Sequence, residues 1–257
     1  MPPWSRLNTA IRSHCSLNRR REFTLLLRSA VESSRGSLLD IGSGDGFWTE
    51  RFARHFAGSF GLDPDLQALR VAQQIHGSRA QYLHGFAESL CFHDEAFDCV
   101  VSISCFEHFH SAQAALREAF RVLRPHGKIA ISVDSLIPDN STQQFRSWHS
   151  RKYCVTEYFS EQRLATMLEE AGFEIEAHHT RHLISSPASR RIRELYLHHP
   201  RLLLALFPLL YLVSLASDRW FSRFPGQIVV MSARKPGVDE TGSRSICDAE
   251  SAIALQG

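Results

Sequence analysis

Lysine is nearly missing from this 257-residue sequence: Lys128, Lys152 and Lys235 are the only three, so arginine carries most of the positive charge. Across the whole chain 29 Lys and Arg face 27 Asp and Glu, a net charge of only +2. That balance excludes a polyanion-binding surface over the whole chain, and no nucleic acid is expected as a partner. The six cysteines (Cys15, Cys91, Cys99, Cys105, Cys154 and Cys247) contain no C-x-x-C pair. A zinc ribbon and a small disulfide scaffold are thereby disfavoured, and a reducing, cytoplasmic setting is expected. H-E-x-x-H is absent and the paired histidines have no partner cysteines, so no metal site is expected. G-x-x-x-x-G-K-[ST] is absent too, which leaves any phosphate-cradling loop without its lysine. Nor is there a membrane span, which needs about 20 apolar residues to cross ~30 Å. The longest uncharged apolar run, Leu202–Ser217, has 16 residues with Pro208 inside it.

What remains is an ordinary globular composition, 44% hydrophobic and 22% charged, long enough for one large domain or two small ones. Short apolar runs alternate with stretches of helical spacing. Ser37–Gly42, Ser59–Leu62, Gln81–Leu83, Phe97–Ser104, Lys128–Val133, Phe173–His178 and Gln227–Arg234 read as strands. Between them Leu25–Ser33, Phe47–Phe56, Asp65–Ile75, Ala112–Leu123 and Glu161–Ala171 read as helices, the last two capped by Ser111 and Ser160. This alternation predicts an α/β fold, a doubly wound and mostly parallel sheet with helices on both faces.

Ligands of such sheets bind at the carboxyl ends of the strands. The first strand ends in DIGSGDG, Asp40 to Gly46, where glycines at 42, 44 and 46 permit a tight turn and a close ligand approach. In the dinucleotide fingerprint the third small residue would fall on Phe47, too large for that role, so a nicotinamide dehydrogenase is disfavoured. Asp40 and Asp45 make the loop acidic, suiting a ligand with cationic groups better than a pyrophosphate. Asp63, at the end of the second strand, can accept hydrogen bonds from ribose hydroxyls. Asp63 also reads as a simple helix cap and the glycines as a simple turn, but their joint spacing favours a nucleoside site.

DIGSGDG with Asp63, followed by GFAESLCFHDEAFDCVVSISCFEH (Gly85–His108) and REAFRVLRPHGKIAISV (Arg117–Val133), resembles the class I S-adenosylmethionine-dependent methyltransferases, and most closely their type-11 domain. FSEQRLATMLEEAGFE (Phe159–Glu174) also resembles the family's helix before the sixth strand. The resemblance implies a seven-stranded Rossmann-like sheet and S-adenosylmethionine as methyl donor. It implies that Asp40, Gly42, Gly44 and Gly46 hold the methionine part and that Asp63 binds the ribose. Phe86 stands where the family usually has an adenine-binding Asp, leaving the Ala87 backbone and Glu88 to read the base. His126 replaces the first glycine of the family's Pro-Gly-Gly turn. Residues 21–183 with 226–236 form the expected methyltransferase domain, after a basic arm (1–20) and before a disordered tail (237–257).

Methyl transfer needs an aligned nucleophile and, for some acceptors, a base. Glu107, His108 and His110 follow the fourth strand and are the catalytic candidates, although His108 reads more readily as a backbone-bonding residue that shapes the pocket. Trp148, His149, Tyr153 and Tyr158, in the loop after the fifth strand, read as an acceptor wall or as core packing. The stretch 184–225 is an insertion that joins arginines to the apolar run, expected at the inner face of a membrane or as a buried hairpin. No single face of the run is polar, which favours the membrane setting over the buried hairpin. The expected function is methyl transfer to a small or lipid-like acceptor; the alternative is a catalytically silent cofactor-binding module or partner subunit.

Overall fold

A computed structural model describes residues 17–33, 36–175, 180–198, 206–221 and 224–237. The tail from residue 238 onward and the arm before Leu17 lie outside the described residues. Strands β1 (Ser37–Ile41), β2 (Gly58–Asp63), β3 (Gln81–His84), β4 (Phe97–Ile103) and β5 (Leu123–Asp134) pair in parallel in the order β3-β2-β1-β4-β5. β8 (Ile228–Arg234) returns antiparallel to β5. Its other edge is shared by β6 (Glu174–Ile175) and β7 (Arg181–Leu183), which pair with opposite ends of it. Among the described residues eight strands therefore occupy seven positions.

The central strands read as unbroken apolar runs because both faces are covered. On one face Leu39, Val100 and Ile129 pack with Leu116 and Ala119 of α4 (Ala112–Val122) and Leu164 and Leu168 of α6 (Glu161–Glu170). On the other, Leu38, Val101 and Ala130 pack with Leu26 and Ala30 of α1 (Leu17–Ser33) and Phe52 of α2 (Phe47–Ala53). Asp65 caps α3 (Leu66–His76), accepting from Gln67 N at 2.8 Å, while Ser111 and Ser160 cap α4 and α6 as their positions predict. Because β2 and β4 flank β1, the winding reverses there, and the crevice at the carboxyl ends of β1 and β4 is the topological switch point.

Four expectations need correcting. The first helix begins at Leu17, not Leu25, so residues 17–20 belong to α1 and not to a free basic arm. Its arginines have distant acceptors: Arg19 donates to Ile103 O at 3.0 Å, and Arg21 to Asp218 Oδ2 at 2.7 Å. The loop after β5 contains α5 (Gln143–Tyr153), capped by Thr142 and burying only Phe145 and His149, which is why its apolar period is faint. β5 starts at Leu123, five residues early, and carries His126 through a left-handed turn at φ 64°.

The fourth correction concerns the insertion, which holds α7 (Pro187–His198) and α8 (Phe207–Trp220). Pro208 lies in the first turn of α8, where a missing N–H costs nothing, and residues 201–205 before it lie outside the described residues. The run does have a polar face: Ser214 and Asp218 are buried, and Ser217 beside them is half-buried. Asp218 accepts the N–H groups of Ile184, Ser185 and Ser186 at 2.9–3.0 Å and pairs with Arg21. Among the described residues no helix is long and apolar enough to cross a membrane.

Candidate functional site

The glycine loop leaves β1 and is pinned to β2 twice. Gly42 N and Ser43 N both donate to Leu62 O, at 2.8 and 3.1 Å. Asp63 supplies the third tie: its Oδ2 accepts Gly44 N at 2.8 Å and its Oδ1 accepts Asp65 N at 2.8 Å. Asp63 is therefore not the helix cap, since Asp65 fills that role. It shapes the loop and remains half-buried with acceptor capacity to spare.

The three glycines differ. Gly42, at φ 82°, has no room for a Cβ, which would run into the Cys105 sulfur. At Gly46, φ 78°, a Cβ would lie 2.6 Å from the Tyr82 hydroxyl, so this glycine serves packing at the start of α2. Gly44, at φ 53°, meets nothing within 4 Å. Its face of the loop is the open one, as a ligand cradle requires.

Charge in this crevice is negative and poorly solvated. Asp40 is buried, its Oδ2 accepting from Thr49 Oγ1 at 2.6 Å. Burial, reinforced by the Asp63 charge, pushes its carboxyl up to about 7 against the Thr49 bond. Burial raises Asp63 too, against its two backbone hydrogen bonds. Cys105 sits between this loop and the turn that follows β4. Burial lifts its thiol, as do the charges of Glu107, Asp63 and Asp40.

Of the catalytic candidates, Glu107 and His108 lie in a 3₁₀ turn, Phe106–His108. Glu107 is wholly buried; Oε1 accepts Asp134 N at 3.2 Å, and Oε2 has no hydrogen-bond partner among the described residues. Burial and the Asp134 charge push it up to about 8. His108 Nδ1 lies 3.3 Å from the Cys154 carbonyl, a backbone hydrogen bond. His110 is exposed and lines a separate cavity of about 270 Å³ with Phe109, Thr156 and Arg163.

On the base side, Phe86 follows β3 and is 55% exposed, edge-on to His84, while Ala87 is buried. Glu88 is half-buried, and its Oε1 accepts His110 N at 3.0 Å and Ser111 N at 3.4 Å. That carboxylate oxygen fastens the start of α4, which competes with a role in reading a base.

A buried ionic cluster escaped sequence reasoning. Asp134, at the end of β5, pairs with Arg193 of α7 at 2.5 Å and lies 3.5 Å from His149 Nε2. His149 Nδ1 is 3.0 Å from the Tyr158 hydroxyl. Burial works to raise the Asp134 carboxyl, yet Arg193, His149 and Arg19 together hold it below its usual range. Burial drives His149 down to about 4 in spite of Asp134, so it is neutral near pH 7. Arg193 is 59 residues from Asp134 along the chain, and no local pattern signals such a pairing.

Residues 39–131 match a protein family described as a methyltransferase domain. The chain is 36% identical over 98 residues to a ubiquinone biosynthesis O-methyltransferase of Azorhizobium caulinodans, covering 37% of this chain and 39% of that protein. It is 29% identical over 138 residues to a demethylmenaquinone methyltransferase of Thermobifida fusca, covering 52% of this chain and 58% of the other. Among solved structures, the phosphoethanolamine N-methyltransferase 2 of Haemonchus contortus in complex with S-adenosyl-L-methionine superposes with a TM-score of 0.62. That match, at 21% identity, covers 84% of this chain and 52% of the other and is a likeness of fold. The chain spans between 23% and 59% of the length of the curated relatives it matches.

Proposed function

Because this chain carries a methyltransferase domain of the class I S-adenosylmethionine-dependent family, we propose that it transfers a methyl group from S-adenosylmethionine to a small or lipid-like acceptor. The observation that carries this reading is the Asp63–Gly44 tie: a carboxylate at the end of β2 holds open the glycine loop at the switch point. The donor set fits the group. Its sulfonium and amino groups are cationic, and the loop offers Asp40, Asp45 and Asp63 with no arginine or lysine between Leu38 and Glu50. Gly42 and Gly44 would face the methionine part, Asp63 the ribose hydroxyls, and the Ala87 backbone the adenine.

When bound, the cofactor supplies an electrophilic methyl group and a thioether leaving group. The protein's part is alignment, exclusion of water and, where the acceptor is a hydroxyl, removal of its proton. Glu107 suits that last task better than His108 or His110. Its Oε2 is buried without a partner, and a carboxyl near 8 is a stronger base than an ordinary one. Asp134 and Arg193 fix the charge beside it, and His108 shapes the wall through Cys154.

A hydrophobic or quinone-like acceptor is supported by the two relatives named for ubiquinone and menaquinone methylation. The second reading, a binding module without turnover, is supported by Phe86, which brings no carboxylate to the adenine position. Calorimetry with S-adenosylhomocysteine and with NAD, followed by labelled methyl transfer into lipid and small-molecule extracts, tests both. Binding of S-adenosylhomocysteine together with a labelled product is the expected result. Binding with no labelled product supports the module, and binding of NAD alone overturns both readings.

A further inference from the structure

Helix α8 is amphipathic in the reverse sense. At 100° per residue, Leu210, Ser214, Ser217 and Asp218 share the face turned to the protein. The opposite face carries Leu209, Leu212 and Trp220, which are 60%, 62% and 86% exposed. Val213 and Leu215 widen the apolar side to 41% and 36% exposed. Water is a poor solvent for such a stripe, and its hydroxyls and carboxylate are consumed by α1, α7 and the 184–186 backbone. Isolated exposed leucines need no account, but a helix that hides its polar residues and exposes its leucines does.

Charge identifies what covers it. Asp218 is the one acid of α8, and it is buried against Arg21; the exposed ionic residue of the helix is Arg219. Arg219 and Arg181 line a groove of about 650 Å³ whose apolar wall includes Leu25, Leu215 and Ala216. Cations above a groove with a hydrocarbon wall fit a phosphate head joined to an acyl chain. An exposed tryptophan next to an arginine at the helix end is the pairing found at the level of lipid headgroups. A second copy packed α8 on α8 would offer Arg219 no exposed acid of that helix.

We propose that the exposed face of α8 docks on an anionic phospholipid bilayer, with Arg181 and Arg219 at the lipid phosphates. The helix lies in the interface and does not span it. The placement also bears on the acceptor. Arg21 bonds α8, while the next residue, Glu22, accepts from Ser104 Oγ at 2.6 Å and Ser132 Oγ at 2.7 Å at the carboxyl ends of β4 and β5. α1 thus joins the docking helix directly to the ligand end of the sheet, so an acceptor dissolved in the bilayer would arrive beside the site. The docking itself needs neither cofactor nor turnover, so its failure and that of methyl transfer are separate results.

The test is co-sedimentation of the full chain with vesicles of pure phosphatidylcholine and of equimolar phosphatidylcholine and phosphatidylglycerol, at low and high salt. The expected result is adsorption to the anionic vesicles that weakens as salt rises. Arg181→Gln/Arg219→Gln should weaken it about thirtyfold, at roughly one kcal/mol per cation, and leave adsorption to pure phosphatidylcholine unchanged. Leu209→Glu/Leu212→Glu should abolish it, with an unaltered circular dichroism spectrum and unaltered S-adenosylhomocysteine affinity. No adsorption to anionic vesicles at low salt overturns the proposal. So does a concentration-dependent dimer, seen by sedimentation velocity without vesicles, that the leucine variant dissociates.

Discussion

Glu107 accepts the backbone N–H of Asp134 at 3.2 Å and feels the charge of the Asp134 carboxylate, two buried acids of which only Asp134 is in contact with Arg193 and His149. The two divide the local cost unequally. Asp134, paired with Arg193, stays ionised, and Glu107 is pushed up to about 8.

Linkage fixes the sign of the consequence. A carboxyl whose folded value exceeds its unfolded value binds more protons when folded, so stability falls as pH rises from about 4.5 to about 8. Glu107→Gln should flatten that part of the pH–stability curve and raise the melting temperature above pH 8. If Glu107 takes the acceptor's proton, the same variant loses methyl transfer while keeping its affinity for S-adenosylhomocysteine. Thermal melts from pH 5 to 9 (about the working range of a shifted carboxylate) and single-turnover assays check the two halves separately.

Removing the cation from the same cluster should have the opposite effect. Arg193→Met leaves Asp134 buried beside Glu107 without its paired guanidinium, and loss of one partner of a buried pair costs about 3–5 kcal/mol. Urea unfolding at neutral pH measures it. A loss under about 1 kcal/mol, the worth of an exposed pair, would mean that the Arg19 charge is enough to hold Asp134.

The glycine loop gives a prediction that separates fold from binding. Gly44 has open space around it, so Gly44→Val should fold, with strain from its φ of 53°, yet lose cofactor binding because the branched side chain projects into the cradle. Gly42→Ala should instead damage the loop itself, since its Cβ meets Cys105. Calorimetry on both, with melting curves as the control, distinguishes a ligand surface from a packed turn.

Much of this architecture is legible in the sequence because strands covered on both faces must be continuous apolar runs, as in Val100–Val101 and Ile129–Ile131. Caps at Ser111 and Ser160 and the spacing from Gly44 to Asp63 are local signals, and the last of them points to the candidate site. What escapes is set by partners far along the chain. Arg19 reads as an arm residue because its acceptor, Ile103, is 84 positions away, and nothing near Arg21 signals its acceptor Asp218, 197 positions away. α5 shows little period because it buries only Phe145 and His149. Ser214 and Ser217 look incidental in an apolar run until Arg21 and Ser186 are placed against them.

Asp63 should matter twice. Its carboxylate holds Gly44 N and Asp65 N, each at 2.8 Å, so Asp63→Ala leaves both donors without that acceptor and removes the acceptor for the ribose hydroxyls as well. A loss of about 1–3 kcal/mol in S-adenosylhomocysteine binding is expected.

His126 offers a gain. It holds a left-handed φ of 64° in the turn before Gly127, where a side chain costs roughly 1–2 kcal/mol. Its N–H donates to Lys235 O at 2.9 Å, and Lys235 N returns the bond to Gly127 O at 2.8 Å, so the turn is locked to the end of β8 and cannot relax. His126→Gly keeps both backbone bonds and removes the strain, although a glycine also raises the entropy of the unfolded chain by about 0.5–1 kcal/mol. The two effects leave a net stabilisation of about 0.5–1 kcal/mol, read as a higher urea midpoint at unchanged slope. A lower midpoint would mean that packing of the imidazole against Gly237 outweighs the backbone strain.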